Sequence, residues 1–336
     1  MSLYGRWMLR WEDRLSRADS NRVARPFDWG LDWLGLAPHD DSYQAIATFS
    51  RQAIAQHSGF FQYPCPRDFQ LEGSTLRFTS PVESPHPENN TVWAEFFEAR
   101  QSRGRAVLVI PQWNSDEQSH LGLCRLLQQA GISALRLSKA YHHRRMPPEL
   151  RRADYHVSSN IGRTIHATRQ SVVDARGCLD WLESRGYHRL AIQGTSLGSC
   201  VALLTVAADT RLRAAAFNHV SMRFSDVVWT GVSCRHIRET LEGNITLEQL
   251  QDCWACISPA SYLESLRNRE LASLLIWARY DTTFLPEYSR QVLDSFRKLK
   301  LGHEIFTLPC GHYTTAKPPY VWMDGFAMAR FLHKIL

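Results

Sequence analysis

The sequence predicts an α/β fold built on a mostly parallel eight-stranded sheet flanked by helices, with a helical cap and a helical N-terminal extension. From residue 105 to about Ser221, short apolar segments alternate with helix-like segments, and the alternation resumes at Leu274. Such alternation builds a parallel sheet through right-handed crossovers. A second observation is the segment Gly194-Thr195-Ser196-Leu197-Gly198, which lies between an apolar strand and an apolar helix.

Residues 1–64 form the expected extension. Large apolar residues recur at every fourth position, namely Leu3, Trp7, Trp11 and Leu15. Arginines occupy other faces, so the pattern predicts an amphipathic helix whose apolar stripe packs on the main domain. The alternative is a basic helix through which residues 1–20 contact a membrane surface or a partner. A second helix is expected from about Ser42 to His57.

The core is expected over residues 65–221 and 269–336. Residues 69–97 predict two antiparallel strands. Six later segments predict the remaining strands, at residues 106–110, 133–137, 189–192, 212–217, 274–278 and 303–308. The continuous apolar run at 106–110 is typical of a strand buried on both faces.

Residues 222–268 interrupt the alternation, because they are helix-like throughout and contain no strand-like segment. An all-helical insertion between two strands of a sheet predicts a cap over the carboxyl ends of the strands. Trp229 belongs to this insertion and is a candidate for substrate binding.

Composition excludes several function classes. The 336 residues are 44% hydrophobic, which is enough for one large domain with additions. The net charge of +6 occurs without runs of Lys or Arg, so no nucleic-acid partner is expected. The sequence contains no run of 18 apolar residues, so no membrane-spanning helix is expected. The N-terminus lacks the apolar region of a signal peptide.

The eight cysteines are scattered, several of them in apolar segments, which indicates buried thiols in a reducing cytoplasm. Cys253 and Cys256 form a lone C-x-x-C inside a helical segment, which we interpret as coincidence. The sequence contains neither a second Cys or His pair at the spacing of a zinc site nor a glycine-rich phosphate-binding loop. We therefore expect no metal and no cofactor.

Gly194 to Gly198 match the G-x-S-x-G pattern of a nucleophile elbow, a sharp strand-to-helix turn with serine at its apex. Side chains at either glycine would collide with neighbouring backbone, and the serine adopts strained backbone angles. We therefore expect Ser196 to be a nucleophile.

A serine hydroxyl needs a base, and the base needs an acid that orients it. In proteins with this elbow, the acid and then the histidine follow the serine along the chain. Asp281 follows the strand at 274–278, and His312 follows the strand at 303–308. Both loops lie at the same end of the sheet, so the sequence predicts a triad of Ser196, Asp281 and His312.

A tetrahedral intermediate needs fixed N–H donors for its oxyanion. The Leu197 amide is expected to be one of them. The second is expected from the loop after the strand at 106–110, with Trp113 favoured and Gln112 as the alternative. Trp113 is also a candidate wall of the acyl pocket.

The loop at residues 138–168 is strongly basic and follows a strand at its carboxyl end, where ligands bind. One interpretation is a solvated surface loop. The other is a basic rim, including His142, His143 and Arg144, that holds a carboxylate or phosphate of the substrate. His219 is expected either to line the pocket or to support the site from behind.

These residues resemble the α/β-hydrolase superfamily over roughly residues 65–336, and within it the group related to abhydrolase domain-containing protein 18. The motifs are the Pro111-Gln112-Trp113-Asn114 loop, the elbow, Asn218-His219 and the helical arm. The resemblance implies a capped serine hydrolase with Ser196 as nucleophile, Asp281 as acid and His312 as base. Many members carry a glycine or a histidine-glycine pair at the oxyanion loop, where this chain has Pro-Gln-Trp.

The expected function is a serine hydrolase that cleaves a carboxylic ester or thioester of a small-molecule acyl substrate through an acyl-enzyme on Ser196. An acyltransferase, amidase or peptidase with the same triad is an alternative. A further alternative is a non-enzymatic protein that binds a membrane or a partner through its N-terminal helix.

Overall fold

A nine-stranded sheet organises the protein. The computed structural model describes residues 2–19 and 21–336, apart from the side chains of residues 57 and 58. The strands are β1 (Gln70–Glu72), β2 (Thr75–Thr79), β3 (Thr91–Phe97), β4 (Arg105–Ile110), β5 (Ser133–Ser138), β6 (Arg189–Thr195), β7 (Leu212–Asn218), β8 (Ala272–Ala278) and β9 (His303–Leu308). Their order across the sheet is β1-β2-β3-β5-β4-β6-β7-β8-β9.

The predicted fold is confirmed, with one strand more than expected. The strands from β4 to β9 pair in parallel. Residues 69–97 contribute three antiparallel strands rather than two. The additional strand, β1, has three residues that are all exposed, and Gly73, with φ of 60°, makes the tight turn to β2.

Helices cover both faces of the sheet. They are α1 (Leu3–Ala18), α2 (Ser42–Ala55), α3 (His57–Phe60), α4 (Leu121–Gln129), α5 (Ile161–Ser184), α6 (Leu197–Ala208), α7 (Phe224–Thr230), α8 (Arg235–Leu241), α9 (Leu247–Cys253), α10 (Pro286–Lys298) and α11 (Tyr320–Ile335). Along β4, Leu108 faces the core formed with α5 and α6, whereas Val107 and Val109 face the core formed with α4 and α11. The strand is buried on both faces, as its continuous apolar run predicts.

The N-terminal helix α1 is amphipathic as predicted, but its buried face is not the predicted stripe. Leu3 is 77% exposed and Trp7 is 51% exposed. The residues that α1 buries are instead Gly5, Met8, Glu12 and Ser16. Of the predicted stripe, Trp11 is partly buried and packs against the core. Contact of residues 1–20 with a membrane or partner stays a prediction, and Met1 and Ser20 of this range lie outside the described residues.

Residues 28–34 lie across the start of α5. The Ile161 and Gly162 amides donate to the carbonyl oxygens of Asp28 and Trp29, each at 2.9 Å. A Cβ at Gly162 would lie 1.9 Å from the Gly30 carbonyl oxygen. The extension therefore packs backbone against backbone on the core.

Between β7 and β8 the described chain forms only helices and short helical turns, including α7, α8 and α9. The predicted helical character of this insertion agrees with the structure. Throughout the described ranges, no helix combines the length and apolarity needed to cross a membrane.

Candidate active site

Ser196 occupies a strained turn between β6 and α6. Its backbone angles are φ 56° and ψ −120°, outside the regions that non-glycine residues ordinarily adopt. A Cβ at Gly194 would lie 2.2 Å from the Gly198 carbonyl oxygen, and one at Gly198 would lie 2.1 Å from the Ile110 carbonyl oxygen. Only glycine fits at either position, so the turn has the backbone that a nucleophile elbow requires.

The three predicted triad residues meet at the carboxyl end of the sheet. The distance from Ser196 Oγ to His312 Nε2 is 3.3 Å. His312 Nδ1 lies 3.1 Å from Asp281 Oδ2. The other carboxylate oxygen of Asp281 accepts hydrogen bonds from the amides of Thr283 and Phe284, at 2.8 and 2.7 Å. With Nδ1–H donating to Asp281, the unprotonated Nε2 can accept the serine proton.

Opposing effects set the protonation states of His312 and Asp281. Burial lowers the pKa of His312, but the negative charge of Asp281 and the hydrogen bond to it outweigh burial, and the pKa rises above its usual value. Burial raises the pKa of Asp281, but the nearby histidines hold it well below its usual range. Asp281 is therefore ionised across the neutral pH range and stabilises a protonated His312.

His219 contacts the same carboxylate from behind the site. Its Nδ1 lies 2.8 Å from Asp281 Oδ2, but the N–H direction falls outside hydrogen-bond geometry. Burial lowers its pKa against the effect of Asp281, so the ring is neutral. The ring centroids of His219 and His312 are 4.7 Å apart. Of the two predicted positions for His219, the structure supports the one behind the acid.

The donor atoms of His219, Asp281 and His312 all lie within 4.8 Å of one another, which is close enough for a metal ion. His312 is already hydrogen-bonded to Ser196 through Nε2 and to Asp281 through Nδ1. The same atoms thus have the arrangement that a serine relay requires.

Backbone amides beside Ser196 are candidate donors to an oxyanion. Among the described residues, the amides of Leu197, Gln112 and Trp113 have no hydrogen-bond partner. The Asn114 amide differs, because it donates to His142 Nε2 at 3.3 Å. Leu197 and Trp113 both line the cavity at Ser196, whereas Gln112 is not among its lining residues.

Lys139 holds the loop that carries the Gln112 and Trp113 amides. Its buried Nζ donates to the carbonyl oxygens of Pro111 and Gln112, at 2.8 and 3.0 Å. The indole of Trp113 donates to the Ala153 carbonyl oxygen at 3.0 Å and stacks on His236. These contacts fix the loop where it faces Ser196.

A narrow cavity of about 50 Å³ opens beside Ser196. Its apolar wall consists of Trp113, Val157, Leu197, Cys200, Phe224, Val227, Val228, Cys234 and Phe284. Phe284 also stacks on His312 with a centroid distance of 5.4 Å. The cavity therefore offers an apolar surface directly beside the nucleophile.

Four predicted substrate-binding residues do not line this cavity. His142 is buried and supports the Asn114 amide, while His143 Nε2 lies 3.2 Å from Ser115 Oγ. Arg144 lies over the ring of Trp93, and Trp229 is covered by Arg238.

The basic-rim interpretation of the loop at 138–168 is corrected by its buried ion pairs. Arg145 and Asp174 pair at 2.7 Å with both side chains fully buried. Arg152 is buried and pairs with Asp19 of the extension at 2.6 Å. These cations hold the fold together and do not form a rim for substrate.

Sequence reasoning missed a contact between α1 and the loop that carries His312. Glu12 is fully buried and accepts hydrogen bonds from Tyr313 and Thr314. Glycine, methionine and serine share its face of α1, so no apolar periodicity marks that face in the sequence.

Comparisons with known proteins agree with this architecture. The family model described as alpha/beta hydrolase domain containing 18 matches residues 117–255. No curated protein matches the chain significantly.

Three solved structures illustrate the likeness. The acylaminoacyl peptidase of Pyrococcus horikoshii has a TM-score of 0.63 at 11% identity, covering 80% of this chain and 42% of its own. A puromycin-hydrolyzing peptidase of Mycobacterium tuberculosis has a TM-score of 0.55 at 16% identity, and the match covers 82% of this chain and 40% of the peptidase. A Pyrococcus furiosus esterase has a TM-score of 0.51 at 12% identity, and the match covers 84% of this chain and 93% of the esterase.

The chain spans about two fifths of the length of the acylaminoacyl peptidases that it matches. At these identities the likeness concerns the fold alone. The protein has the α/β-hydrolase fold, and its residues 117–255 resemble the family described as alpha/beta hydrolase domain containing 18, as its motifs predict.

Proposed function

We propose that the protein is a serine hydrolase that cleaves a carboxylic ester or thioester through an acyl-enzyme on Ser196. The observation that carries the proposal is the continuous path from Ser196 through His312 to Asp281, beside an apolar cavity. Elbow geometry, a buried ionised acid and free amides support it together.

In the first half of the reaction, His312 Nε2 accepts the Ser196 proton while Oγ bonds to the carbonyl carbon of the substrate. Asp281 stabilises the imidazolium that forms. The carbonyl oxygen becomes an oxyanion, for which the amides of Leu197 and Trp113 are the proposed donors.

When the tetrahedral intermediate collapses, the bond to the alkoxide or thiolate leaving group breaks and His312 donates its proton to that group. In the second half, His312 takes a proton from water, whose oxygen attacks the acyl-enzyme. Collapse of the second intermediate releases a carboxylic acid and returns the proton to Ser196.

The cavity supports an acyl substrate. Aliphatic and aromatic side chains make up most of its wall, and such walls bind the apolar part of a ligand. Phe224, Val227 and Val228 come from the helical insertion, which we propose to be a cap at residues 222–268. Residues 65–221 and 269–336 would then form the catalytic core, and residues 1–64 an extension.

Active-site labelling tests the proposal. A fluorophosphonate is expected to modify the wild-type protein at Ser196, and Ser196→Ala is expected to abolish the modification. Ser184→Ala is the matched control, because Ser184 is an exposed serine at the end of α5 and should not alter labelling. Failure of the wild type to label, or equal labelling of Ser196→Ala, contradicts the proposal.

Product analysis separates hydrolysis from the related reactions. Phenyl ester, thioester and anilide substrates with the same acyl group are incubated with the protein in water containing a competing alcohol. Free acid from the ester or thioester supports the proposal. A predominant alcohol ester indicates acyl transfer, and faster anilide cleavage indicates an amidase.

A further inference from the structure

Glu12 is a fully buried acid on α1 that faces the loop after β9. A carboxylate that is removed from water without partners destabilises the fold by several kcal/mol, so buried acids are retained with hydrogen-bond donors. The partners of Glu12 lie directly after His312.

Both carboxylate oxygens of Glu12 accept hydrogen bonds from this loop. Oε2 accepts from the Tyr313 amide at 3.0 Å. Oε1 accepts from the Thr314 amide at 2.7 Å and from the Thr314 hydroxyl at 2.6 Å. Two consecutive backbone amides are thereby fixed immediately after the catalytic base.

The residue before His312 is also shaped by Glu12. A Cβ at Gly311 would lie 2.3 Å from Glu12 Cδ, so any side chain there would displace the acid. The Gly311 amide donates to the Thr314 hydroxyl at 2.8 Å, and this hydroxyl in turn donates to Glu12. The acid therefore holds the backbone on both sides of His312.

Other residues of the N-terminal extension support the same loop. The Tyr4 hydroxyl donates to the Pro309 carbonyl oxygen. Arg22 donates to the Tyr313 hydroxyl at 2.7 Å. The extension thus contacts the loop before and after the histidine.

We propose that Glu12 is a positioning residue for His312, and that the N-terminal extension thereby forms part of the catalytic apparatus. This inference rests on the proposed serine hydrolase function. Glu12 acts through backbone geometry, since it touches the loop and not the reacting atoms.

The charge of Glu12 adds a second effect, which supplies a diagnostic measurement. Two acids face His312 and raise its pKa against burial, first Asp281 and then Glu12. Other titratable groups close to His312 include the neutral His219, with ring centroids 4.7 Å apart, Tyr313, at 5.9 Å, and the Cys310 thiol. Arg22 donates to the Tyr313 hydroxyl and pairs with Asp19 at 3.4 Å. Removal of the Glu12 charge should therefore lower the pKa of His312.

Glu12→Gln tests the proposal. With p-nitrophenyl acetate as substrate, we expect kcat/KM at pH 8 to fall by about tenfold to a hundredfold, as for a small displacement of a catalytic group. The pH at which kcat/KM reaches half its maximum should also move to a lower value. A merely structural role would leave that midpoint unchanged.

Asp13→Asn is the matched control, because Asp13 is the neighbouring acid on the same helix and is exposed. It should retain the wild-type rate and midpoint. Glu12→Asp keeps the charge but shortens the side chain, so it should lower kcat while the midpoint stays near the wild-type value.

The outcomes distinguish this inference from the proposed function. If wild-type Ser196 does not label with a fluorophosphonate, the hydrolase function itself is wrong. If it labels but a folded Glu12→Gln keeps the wild-type rate and midpoint, only the positioning role is overturned. If Glu12→Gln does not fold, Glu12→Asp decides, because an unchanged kcat in that variant also overturns the role.

Discussion

His312 is a buried histidine whose protonation state decides whether Ser196 can be activated. Asp281 contacts its Nδ1 at 3.1 Å and raises its pKa against the effect of burial. Only the neutral ring can accept the serine proton. As the pH falls, a histidine with a raised pKa becomes protonated sooner, so activity is lost at a higher pH than for an ordinary histidine.

We therefore predict that kcat/KM for a neutral ester falls as the pH decreases, with a midpoint above the ordinary histidine value of 6.5. The measurement is a pH profile from 5 to 9 with p-nitrophenyl acetate. A midpoint below 6.5 would mean that burial outweighs the charge of Asp281.

At this scale the sequence predicted the residues that follow strand ends. Ser196, Asp281 and His312 each lie just after a strand, and chain order alone indicates which strand. Glu12 could not be predicted, because its partners are more than 300 residues away. His142 was misinterpreted for a related reason: its burial depends on packing that local sequence does not encode.

Among the elements, the start of α5 packs directly against the backbone of the extension. The Gly162 amide donates to the Trp29 carbonyl oxygen, and a Cβ at this position would meet the Gly30 carbonyl oxygen at 1.9 Å. Backbone atoms cannot move aside as a flexible side chain can.

Gly162→Ala is therefore expected to lower the free energy of unfolding by about 1–3 kcal/mol, although alanine is the better helix former. Gly122→Ala is the control, because Gly122 lies in α4 and a Cβ there meets nothing within 4 Å. It should raise stability slightly. Urea denaturation of both variants measures the difference, and equal effects would contradict the packing argument.

Element positions were predicted better than the faces they bury. The parallel strands lie where apolar runs predict them, because a strand buried on both faces has a strong local signature. The face of α1 was wrong because Gly5, Met8 and Glu12 are buried while Leu3 and Trp7 are exposed, and the hydrogen bonds that hold Glu12 come from a distant part of the chain. The short strand β1 was missed because all of its residues are exposed.

For the whole molecule, Asp324 links the sheet to the last helix. It lies on α11, where its Oδ2 accepts a hydrogen bond from Asn218 Nδ2 of β7 at 2.7 Å. Burial raises its pKa from 3.8 to about 7. Between these two values the folded protein binds a proton that the unfolded chain has released, so the free energy of unfolding falls as the pH rises.

We predict that Asp324→Asn removes this fall in the free energy of unfolding with rising pH. The wild type should be destabilised between pH 5 and pH 8 by up to roughly 3 kcal/mol more than the variant. Thermal unfolding of both proteins at the two pH values measures the effect. An identical pH dependence in the two proteins would show that Asp324 is ionised in the folded state across this range.

The packing of α1 against the loop after β9 also has a consequence for biosynthesis. Glu12 and Thr314 are separated by 302 positions in the chain. A ribosome therefore delivers the first helix long before the loop that it contacts, and closing a contact of this span carries a large entropy cost. Translation products that end between residues 197 and 311 contain Ser196 but lack His312, so the proposed esterase activity would report translation past the loop after β9.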